Sequence, residues 1–275
     1  MSHQLLKGKK GIIFGALDER SIAWQTAQKV VAEGGEIVLS NAPIALRMGK
    51  INELAKECND APVIAADATK TEDLEQLIQQ SMDHFGGKLD FVLHSIGMSP
   101  NVRKNIEYTN TNYDNFLKTL DISALSLHKV LQSCMKLDAL NEWASVVALT
   151  YIAAQRTFPG YNDMAEAKAL MEGIARSFGY HYGFAKKVRV NTVSQSPTVT
   201  TAGSGVSGFD AFFEYANKMS PLGNATAEEC ASYCISLFSD YTKMVTMQNL
   251  FHDGGFSSTG VSTPIVEEMI KAAEK

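Results

Sequence analysis

Short apolar runs alternate with segments of helical periodicity along the whole sequence, and this alternation restricts the possible folds more than any other feature. The first apolar run, residues 11–14, has the length of a buried strand. Apolar residues then recur at helical spacing over 22–31, and Gly34-Gly35 follows where such a helix is expected to end. A strand followed by a helix, repeated many times, predicts parallel βαβ units with right-handed crossovers.

The same pattern continues to the end of the chain. It predicts further strands at 36–40, 63–66, 89–94, 144–149, 188–193 and near 248–252, and long helices at 72–85, 113–137 and 161–182. About seven strands predict an α/β fold, namely a Rossmann-type doubly wound parallel sheet with helices on both faces. Because no repeat and no flexible linker divides the chain, we expect one dinucleotide-binding domain over residues 1–275.

One irregular stretch, 194–208, interrupts this regular alternation. It is rich in serine, threonine and glycine, and a short helical segment follows it. A loop of that length at the carboxyl end of a strand is more often functional than accidental. The sequence therefore predicts a substrate-binding loop near 194–220.

Composition excludes several classes of protein. Hydrophobic residues make up 45% of the chain and charged residues 20%, which supports a large buried core. The formal net charge is -5 and no long basic run occurs, so neither nucleic acid nor an anionic membrane is an expected partner. No apolar leader and no uncharged apolar run of about 18 residues occurs, so the expected location is the cytoplasm.

The four cysteines and six histidines show no metal-ligand spacing, and we expect no metal site. The cysteines are interpreted as reduced structural thiols: Cys58, Cys134, Cys230 and Cys234. Three histidines are interpreted as structural residues: His94, His181 and His252.

The turn after the first strand lacks the usual three-glycine fingerprint of dinucleotide-binding proteins. Gly15 can nevertheless turn tightly off the strand, Ser21 can cap the next helix, and Ile22 would begin that helix. The free N–H groups of a helix N-terminus can bind a pyrophosphate. An ordinary glycine turn with a helix cap explains the same residues about equally well.

Two later strand ends carry further candidate cofactor contacts. Asp67-Ala68 follows the third strand, where a carboxylate beside a small residue can bind an adenine amino group. An aspartate that merely starts a loop is an equally good interpretation. Ser95-Ile96-Gly97 follows the fourth strand, where small residues let a cofactor approach the backbone closely.

The strongest chemical feature is Tyr161 with Lys168, seven residues apart on a predicted helix and therefore about two turns apart on nearly the same face. A phenol aimed at a carbonyl oxygen can stabilise developing enolate charge or transfer a proton. An adjacent cation helps, because the pKa of a free phenol is about 10. Lys168 can supply that charge while it holds a nicotinamide ribose. Such pairs also arise by chance on amphipathic helices, but the position after the 144–149 strand favours catalysis.

Four groups of residues together resemble one family. They are Gly15-x5-Ser21-Ile22-Ala23, His94-Ser95-Ile96-Gly97, Tyr151-x9-Tyr161-x6-Lys168 and Asp253-Gly254-Gly255-Phe256. Over essentially its whole length, the sequence is similar to the bacterial NADH-dependent enoyl-acyl-carrier-protein reductases of the short-chain dehydrogenase/reductase superfamily. Most short-chain dehydrogenases place a catalytic serine before the tyrosine, whereas this sequence has Tyr151 in that neighbourhood.

The resemblance implies reduction of a trans-2-enoyl thioester in the elongation cycle of fatty acid biosynthesis, with hydride transfer from the nicotinamide to the β-carbon. It implies that Tyr161 stabilises the enolate, that Lys168 binds the cofactor ribose, and that Tyr151 lines the substrate site. Tyr151 would assist the reaction or serve as an aromatic wall. Cofactor contacts carry over to Gly15, Ser21, Ile22, Asp67, Ala68 and Ile96, and a substrate contact carries over to Ser99.

The sequence departs from the resemblance at one point. After the sixth strand the family usually has Ala-Gly-Pro, whereas this sequence has Gln195-Ser196-Pro197. Pro197 and Thr200 still match, so the resemblance implies nicotinamide contacts from Thr198, Val199, Thr200, Thr201 and Ala202. The departure affects the local backbone geometry and the fit of a ligand there.

The residues after the second strand indicate the cofactor. An acid there favours NAD, whereas a basic pair favours NADP through its 2′-phosphate. Ser40-Asn41-Ala42-Pro43 is neither acidic nor basic, so we expect NADH. Arg47 is the nearest residue that would favour NADPH.

Two other functions remain open. A 3-ketoacyl or other carbonyl reductase would use the same tyrosine and lysine, although the absent serine counts against it. A catalytically silent paralogue that only binds nucleotide is disfavoured by the intact Tyr161 and Lys168. By analogy with similar proteins, the two long apolar helices predict a homotetramer, and the implied partner is an acyl carrier protein bearing the enoyl substrate.

Overall fold

The computed structural model describes residues 3–200 and 208–274. Within these residues, seven parallel strands form one sheet in the order β3-β2-β1-β4-β5-β6-β7. The strands are β1 (Lys10–Phe14), β2 (Glu36–Asn41), β3 (Val63–Ala65), β4 (Leu89–His94), β5 (Leu140–Thr150), β6 (Arg189–Gln195) and β7 (Asn249–His252). The predicted Rossmann-type parallel sheet of about seven strands is confirmed.

Helices cover both faces of this sheet. Those within the described ranges are α1 (Ile22–Ala32), α2 (Pro43–Met48), α3 (Ile51–Glu57), α4 (Thr71–Phe85), α5 (Pro100–Arg103), α6 (Tyr113–Leu120), α7 (Ser126–Lys136), α8 (Met164–Lys186), α9 (Phe209–Met219), α10 (Ala227–Phe238) and α11 (Thr263–Ala273). A π-helical segment, Asp121–Leu125, joins α6 to α7. The helix predicted over 113–137 is therefore one long helix with a local widening.

Successive residues of each strand point to opposite faces of the sheet, and both faces are buried. Ile12 and Val146 pack with residues of α4, α7 and α8 on one face. Ile13 and Val147 pack with residues of α1, α3 and α10 on the other. All four side chains are fully buried, and each contributes about 1.5–3 kcal/mol to folding.

The strand register brings several strand ends to one edge of the sheet. Phe14 pairs with His94, His94 pairs with Ala148, and Thr150 pairs with Ser194. The carboxyl ends of β1, β4, β5 and β6 therefore lie side by side, next to the point where the strand order reverses between β1 and β4. In open α/β sheets, ligands bind in the crevice at this place.

Helix α8 begins at Met164, three residues later than the sequence predicts. Asn162 has a φ of 42°, so the chain turns there instead of continuing as a helix. Tyr161 therefore lies in the turn before α8. The prediction that Tyr161 and Lys168 lie on one helix is wrong.

The cysteines agree with their structural interpretation, since all four are free and buried. Burial raises the pKa of Cys134 to about 12 and the pKa of Cys58 to about 11, so both thiols stay protonated at neutral pH. Across the described ranges, no helix is long and apolar enough to span a membrane. Nor do these ranges contain a group of three or more His, Cys, Asp or Glu residues suited to bind a metal ion.

Candidate active site

A cavity of about 410 Å³ lies at the carboxyl ends of β4, β5 and β6, beside the start of α1. The predicted site residues that border it are Ile22, Ser95, Ile96, Gly97, Ser99, Tyr151, Tyr161, Lys168, Thr198 and Thr200. The predicted residues that do not border it are Gly15, Ser21, Asp67, Ala68 and Val199. Thr201 and Ala202 lie outside the described residues.

The turn after β1 is built on a glycine that no other residue can replace without strain. Gly15 has a φ of +94°, and a Cβ there would lie 2.0 Å from the Ser95 carbonyl oxygen. The end of β1 therefore packs directly against the segment after β4. Ser21 caps α1 as predicted, because its Oγ accepts a hydrogen bond from Trp24 N at 3.2 Å. Ile22 borders the cavity, so the N-terminal end of α1 faces ligand space.

Asp67 lies in the loop after β3 and organises that loop. Its carboxylate accepts hydrogen bonds from Thr69 N at 3.0 Å and from Thr69 Oγ1 at 2.7 Å. Burial raises the pKa of Asp67, but these bonds and the nearby Lys70 outweigh burial and hold the pKa below its usual value. Asp67 is therefore ionised and fulfils the loop-starting role that the sequence also allowed. Ala68 beside it is buried.

His94 ends β4 and is fully buried. Its Nε2 lies 2.8 Å from Ser126 Oγ. Because the Ser126 hydroxyl donates to the Ile122 carbonyl oxygen at 2.6 Å, His94 is the donor in the Nε2 bond. Burial and then the Lys168 charge lower the pKa of His94 to about 3, so the ring is neutral. His94 thus has the structural role predicted for it.

Tyr151, Tyr161 and Lys168 meet at the wall of the cavity. The ring centroids of the two tyrosines lie 5.3 Å apart, with the ring planes inclined at 56°. Lys168 Nζ donates a 2.8 Å hydrogen bond to the Leu149 carbonyl oxygen near the end of β5. A Cβ on Gly97 would lie 3.6 Å from this Nζ, so glycine keeps space open beside the amine.

Burial decides the protonation of these three groups. It raises the pKa of Tyr161, and it raises the pKa of Tyr151 with smaller contributions from Tyr161 and Asp253. Both phenols are therefore neutral hydrogen-bond donors at neutral pH. The expected lowering of the Tyr161 pKa by Lys168 is not observed, because burial raises that pKa instead. Burial also lowers the pKa of Lys168 to about 8, although the Glu172 carboxylate acts to raise it.

The sequence analysis missed Asp163, a fully buried carboxylate two residues after Tyr161. It accepts hydrogen bonds from Ser99 Oγ at 2.5 Å, Asn101 Nδ2 at 2.6 Å and Thr119 Oγ1 at 2.9 Å. These partners lie 44 to 64 residues away in sequence, so no local pattern reveals the cluster. The Ser99 hydroxyl is thus hydrogen-bonded within the protein. The main chain of Ser99 is the part of this residue that is available to a ligand.

The sequence analysis missed the contacts of Gln195, and one of its partners is His252, which has the structural role predicted for it. The Oε1 atom of Gln195 lies 2.7 Å from His252 Nδ1, and its Nε2 donates to Thr198 Oγ1 at 3.1 Å. Strand β6 continues to Gln195, so the departure at Gln195-Ser196 does not break the strand. The following Val199 is half exposed.

The sheet order, the glycine turn and the buried tyrosine–lysine pair define a dinucleotide-dependent oxidoreductase of the short-chain dehydrogenase/reductase type. A family model described as enoyl-(acyl carrier protein) reductase matches residues 15–257. The chain belongs to the enoyl-acyl-carrier-protein reductase family.

Individual relatives and solved structures agree with this assignment. A relative from Rhizobium meliloti, named enoyl-[acyl-carrier-protein] reductase [NADH] 2, is 32% identical over 94% of this chain and 95% of the relative. A crystal structure of the FabI–NADH complex from Alistipes finegoldii is 63% identical, with a TM-score of 0.93 over 94% of this chain and 92% of that chain. The Bacillus cereus reductase, solved with NADP+ and indole naphthyridinone, is 28% identical, with a TM-score of 0.87 over 95% of this chain and 100% of that chain.

Proposed function

We propose that this protein uses NADH to reduce the trans-2 double bond of enoyl-acyl-carrier-protein thioesters in the elongation cycle of fatty acid biosynthesis. The observation that carries the proposal is the pair of neutral phenols, Tyr151 and Tyr161, on the cavity wall that also holds the Lys168 amine. The relative from Rhizobium meliloti, which is named as an NADH-dependent enoyl-acyl-carrier-protein reductase, supports the same reaction.

The residues of the cavity fit a dinucleotide. The N-terminal end of α1 suits a pyrophosphate, and Gly97 leaves room beside Lys168. The Lys168 ammonium has three donors, and one of them binds the Leu149 carbonyl oxygen, so two are available for ribose hydroxyls. The proposed cofactor contacts are Gly15, Ser21, Ile22, Asp67, Ala68, Ser95, Ile96, Gly97, Lys168, Thr198, Val199, Thr200, Thr201 and Ala202.

Tyr161 is the proposed catalytic donor. When bound, NADH supplies the hydride that is added to the β-carbon of the substrate. Tyr161 donates a hydrogen bond to the thioester carbonyl oxygen, where negative charge develops as the enolate forms. Because burial raises the pKa of Tyr161, the phenol keeps its proton and acts as a donor. A proton from solvent is then added at the α-carbon, so the double bond has gained one hydride and one proton.

Tyr151 is proposed to line the substrate site next to Tyr161. Its hydroxyl is buried and has no hydrogen-bond partner among the described residues, so a ligand oxygen would satisfy it. Its ring packs against Phe158 at 5.2 Å, and Phe158 packs against Phe212 at 5.2 Å. This aromatic wall suits an acyl chain, and Ser99 would contact the substrate through its main chain.

The end of β2 supports NADH rather than NADPH. Asn41 Nδ2 donates to the Ala16 carbonyl oxygen at 2.9 Å, and Asn41 Oδ1 accepts from Ala42 N at 2.9 Å. This carboxamide is neutral and engaged within the protein, and no basic residue occurs from Ser40 to Pro43 to offset a 2′-phosphate. Arg47 is exposed on α2 and is the nearest basic residue. If the protein also accepts NADPH, substitution of Arg47 tests whether this side chain binds the 2′-phosphate.

Apolar surface on the long helices supports assembly into a homotetramer. Tyr113, Leu117 and Leu125 are exposed along α6 and the π-helical segment, and Tyr180 and Phe184 are exposed on α8. Large exposed apolar side chains of this kind are typical of subunit interfaces. Sedimentation at several protein concentrations tests the proposed state.

We also propose that residues 1–275 form one cytoplasmic reductase domain with a substrate-binding loop near 194–220. In support, Pro197, Thr198, Thr200, Gly208 and Phe212 all border the cavity. The acyl carrier protein that bears the enoyl substrate is the proposed partner.

The test is the loss of NADH absorbance with purified protein and a trans-2-enoyl thioester. Parallel assays use NADPH and a 3-ketoacyl thioester. Oxidation of NADH with the enoyl substrate alone is the expected result. Oxidation only with the keto substrate would assign the protein to the carbonyl reductases, and no oxidation with either would favour a nucleotide-binding protein without catalysis.

A further inference from the structure

Gln195 links three segments of the chain through its side-chain amide. Its Oε1 lies 2.7 Å from His252 Nδ1, and its Nε2 lies 3.1 Å from both Thr198 Oγ1 and the Ala225 carbonyl oxygen. Gln195 is 4% exposed and borders the cavity. The amide therefore joins the turn after β6, the segment before α10 and the end of β7.

The orientation of this amide follows from its partners. The Ala225 carbonyl oxygen can only accept, so the Gln195 atom beside it is the Nε2 donor. The Oε1 atom then faces His252, which must donate from Nδ1. One carboxamide thus accepts a hydrogen bond from His252 and donates to both Thr198 and Ala225.

Thr198 receives its orientation from this arrangement. Its Oγ1 accepts from Gln195 Nε2 and donates to the Ser196 carbonyl oxygen at 3.0 Å. The hydroxyl proton of Thr198 is therefore engaged in the bond to Ser196, and the hydroxyl is available to a ligand as an acceptor. Two hydrogen bonds fix Ser196 in place. Its Oγ accepts from Ala225 N at 3.0 Å, and its N donates to the His252 carbonyl oxygen at 3.1 Å.

We propose that Gln195 is a positioning residue for the nicotinamide end of the cofactor site. Its amide holds Thr198 so that the hydroxyl oxygen presents an acceptor to the N–H donors of the nicotinamide carboxamide. This proposal rests on the proposed function, because it requires the turn after β6 to contact the nicotinamide. It explains why glutamine and serine occur together at 195–196, where the resemblance leads one to expect two small residues.

The experiment compares the full-length chain with three single variants. Gln195→Met keeps the side-chain length and removes every hydrogen bond, Gln195→Glu keeps an acceptor for His252 but cannot donate to Thr198, and Thr198→Val removes the hydroxyl. NADH affinity is measured by fluorescence titration, alongside kcat, the KM for NADH and the melting temperature. Each variant is expected to raise the NADH Kd about tenfold.

Gln195→Met combined with Thr198→Val separates positioning from a general loss of stability. If Gln195 acts through Thr198, the double variant binds NADH no more weakly than Thr198→Val alone. Additive losses would overturn the proposal.

Asn191→Asp is the matched control, because Asn191 is a buried amide on the same strand that does not border the cavity. It donates to the Val245 carbonyl oxygen at 2.9 Å and accepts from Gln248 N at 3.1 Å. This variant should lower the melting temperature and leave the NADH Kd unchanged.

Two further outcomes distinguish this proposal from the proposed function. If the unmodified protein binds no NADH, the proposed function fails and this inference fails with it. If the unmodified protein reduces the enoyl substrate while both Gln195 variants bind NADH normally, only this inference is overturned.

Discussion

The rings of Tyr151 and Tyr161 lie 5.3 Å apart on the cavity wall, and burial raises the pKa of both phenols. Tyr161→Phe removes the proposed donor to the enolate oxygen, so kcat should fall about 100-fold or more, as for the loss of an oxyanion donor. The NADH Kd should change little. Steady-state kinetics and NADH titration check both expectations, and near-normal turnover would move the donor role to Tyr151.

Tyr151→Phe should stabilise the cofactor-free protein while weakening substrate binding. The Tyr151 hydroxyl is buried without a partner among the described residues, and such a group costs about 1–3 kcal/mol. The free energy of unfolding in urea should therefore rise, while the KM for the enoyl substrate also rises. Tyr182→Phe is the control, because its hydroxyl is also buried without a partner in the described chain but does not border the cavity. A KM change in both variants would contradict a substrate role for Tyr151.

Gly15→Ala should abolish NADH binding and destabilise the fold. The positive φ alone costs about 1–2 kcal/mol for a residue with a Cβ, and the 2.0 Å approach to the Ser95 carbonyl oxygen forces the backbone apart. Gly86→Ala is the control, since its φ is +64° and no atom lies within 4 Å of an added Cβ. Gly86→Ala should lose stability in urea unfolding without losing NADH affinity. Equal stability of the two variants would contradict the close packing at Gly15.

The Lys168 amine should make stability depend on pH. Burial lowers its pKa to about 8 from the ordinary 10.5. Above pH 8 the unfolded chain therefore binds more protons at this site than the folded chain, so the free energy of unfolding gains a rising contribution as pH increases toward 10.5. Lys168→Met should remove this contribution. Parallel slopes for both proteins in urea unfolding between about pH 8 and 9.5 would contradict it.

Arg103 should contribute to recognition of the carrier protein. It is exposed and borders the cavity, and Lys104 next to it is exposed as well. Arg103→Ala should raise the KM for an enoyl group on an acidic carrier protein about 3- to 10-fold, as expected for a rim charge. The KM for the N-acetylcysteamine thioester should not change. Lys56→Ala on α3 is the control, and equal effects on both substrates would contradict a docking role.

Several features of the protein follow from local sequence. Buried parallel strands are continuous apolar runs, so the seven strands and their order along the chain were predictable. The run predicted at 89–94, for example, coincides with β4. Ser21 was predictable as a cap because capping depends on neighbouring residues alone. The short helices α2 and α3 were not predicted, since 6 or 7 residues show too little periodicity.

Tertiary structure decided what the site residues do. Spacing in the sequence identified Tyr161 and Lys168, but the folded chain places Tyr161 in a turn before α8. Burial sets the protonation of both groups, and burial cannot be read from a local sequence pattern. The same reason explains why the roles of Asp163 and Gln195 were missed. Ser99 for Asp163, and His252 and Ala225 for Gln195, come from distant segments that only the folded chain brings within hydrogen-bonding distance. Sequence determined which groups are available, and the fold determined which of them touch and which are charged.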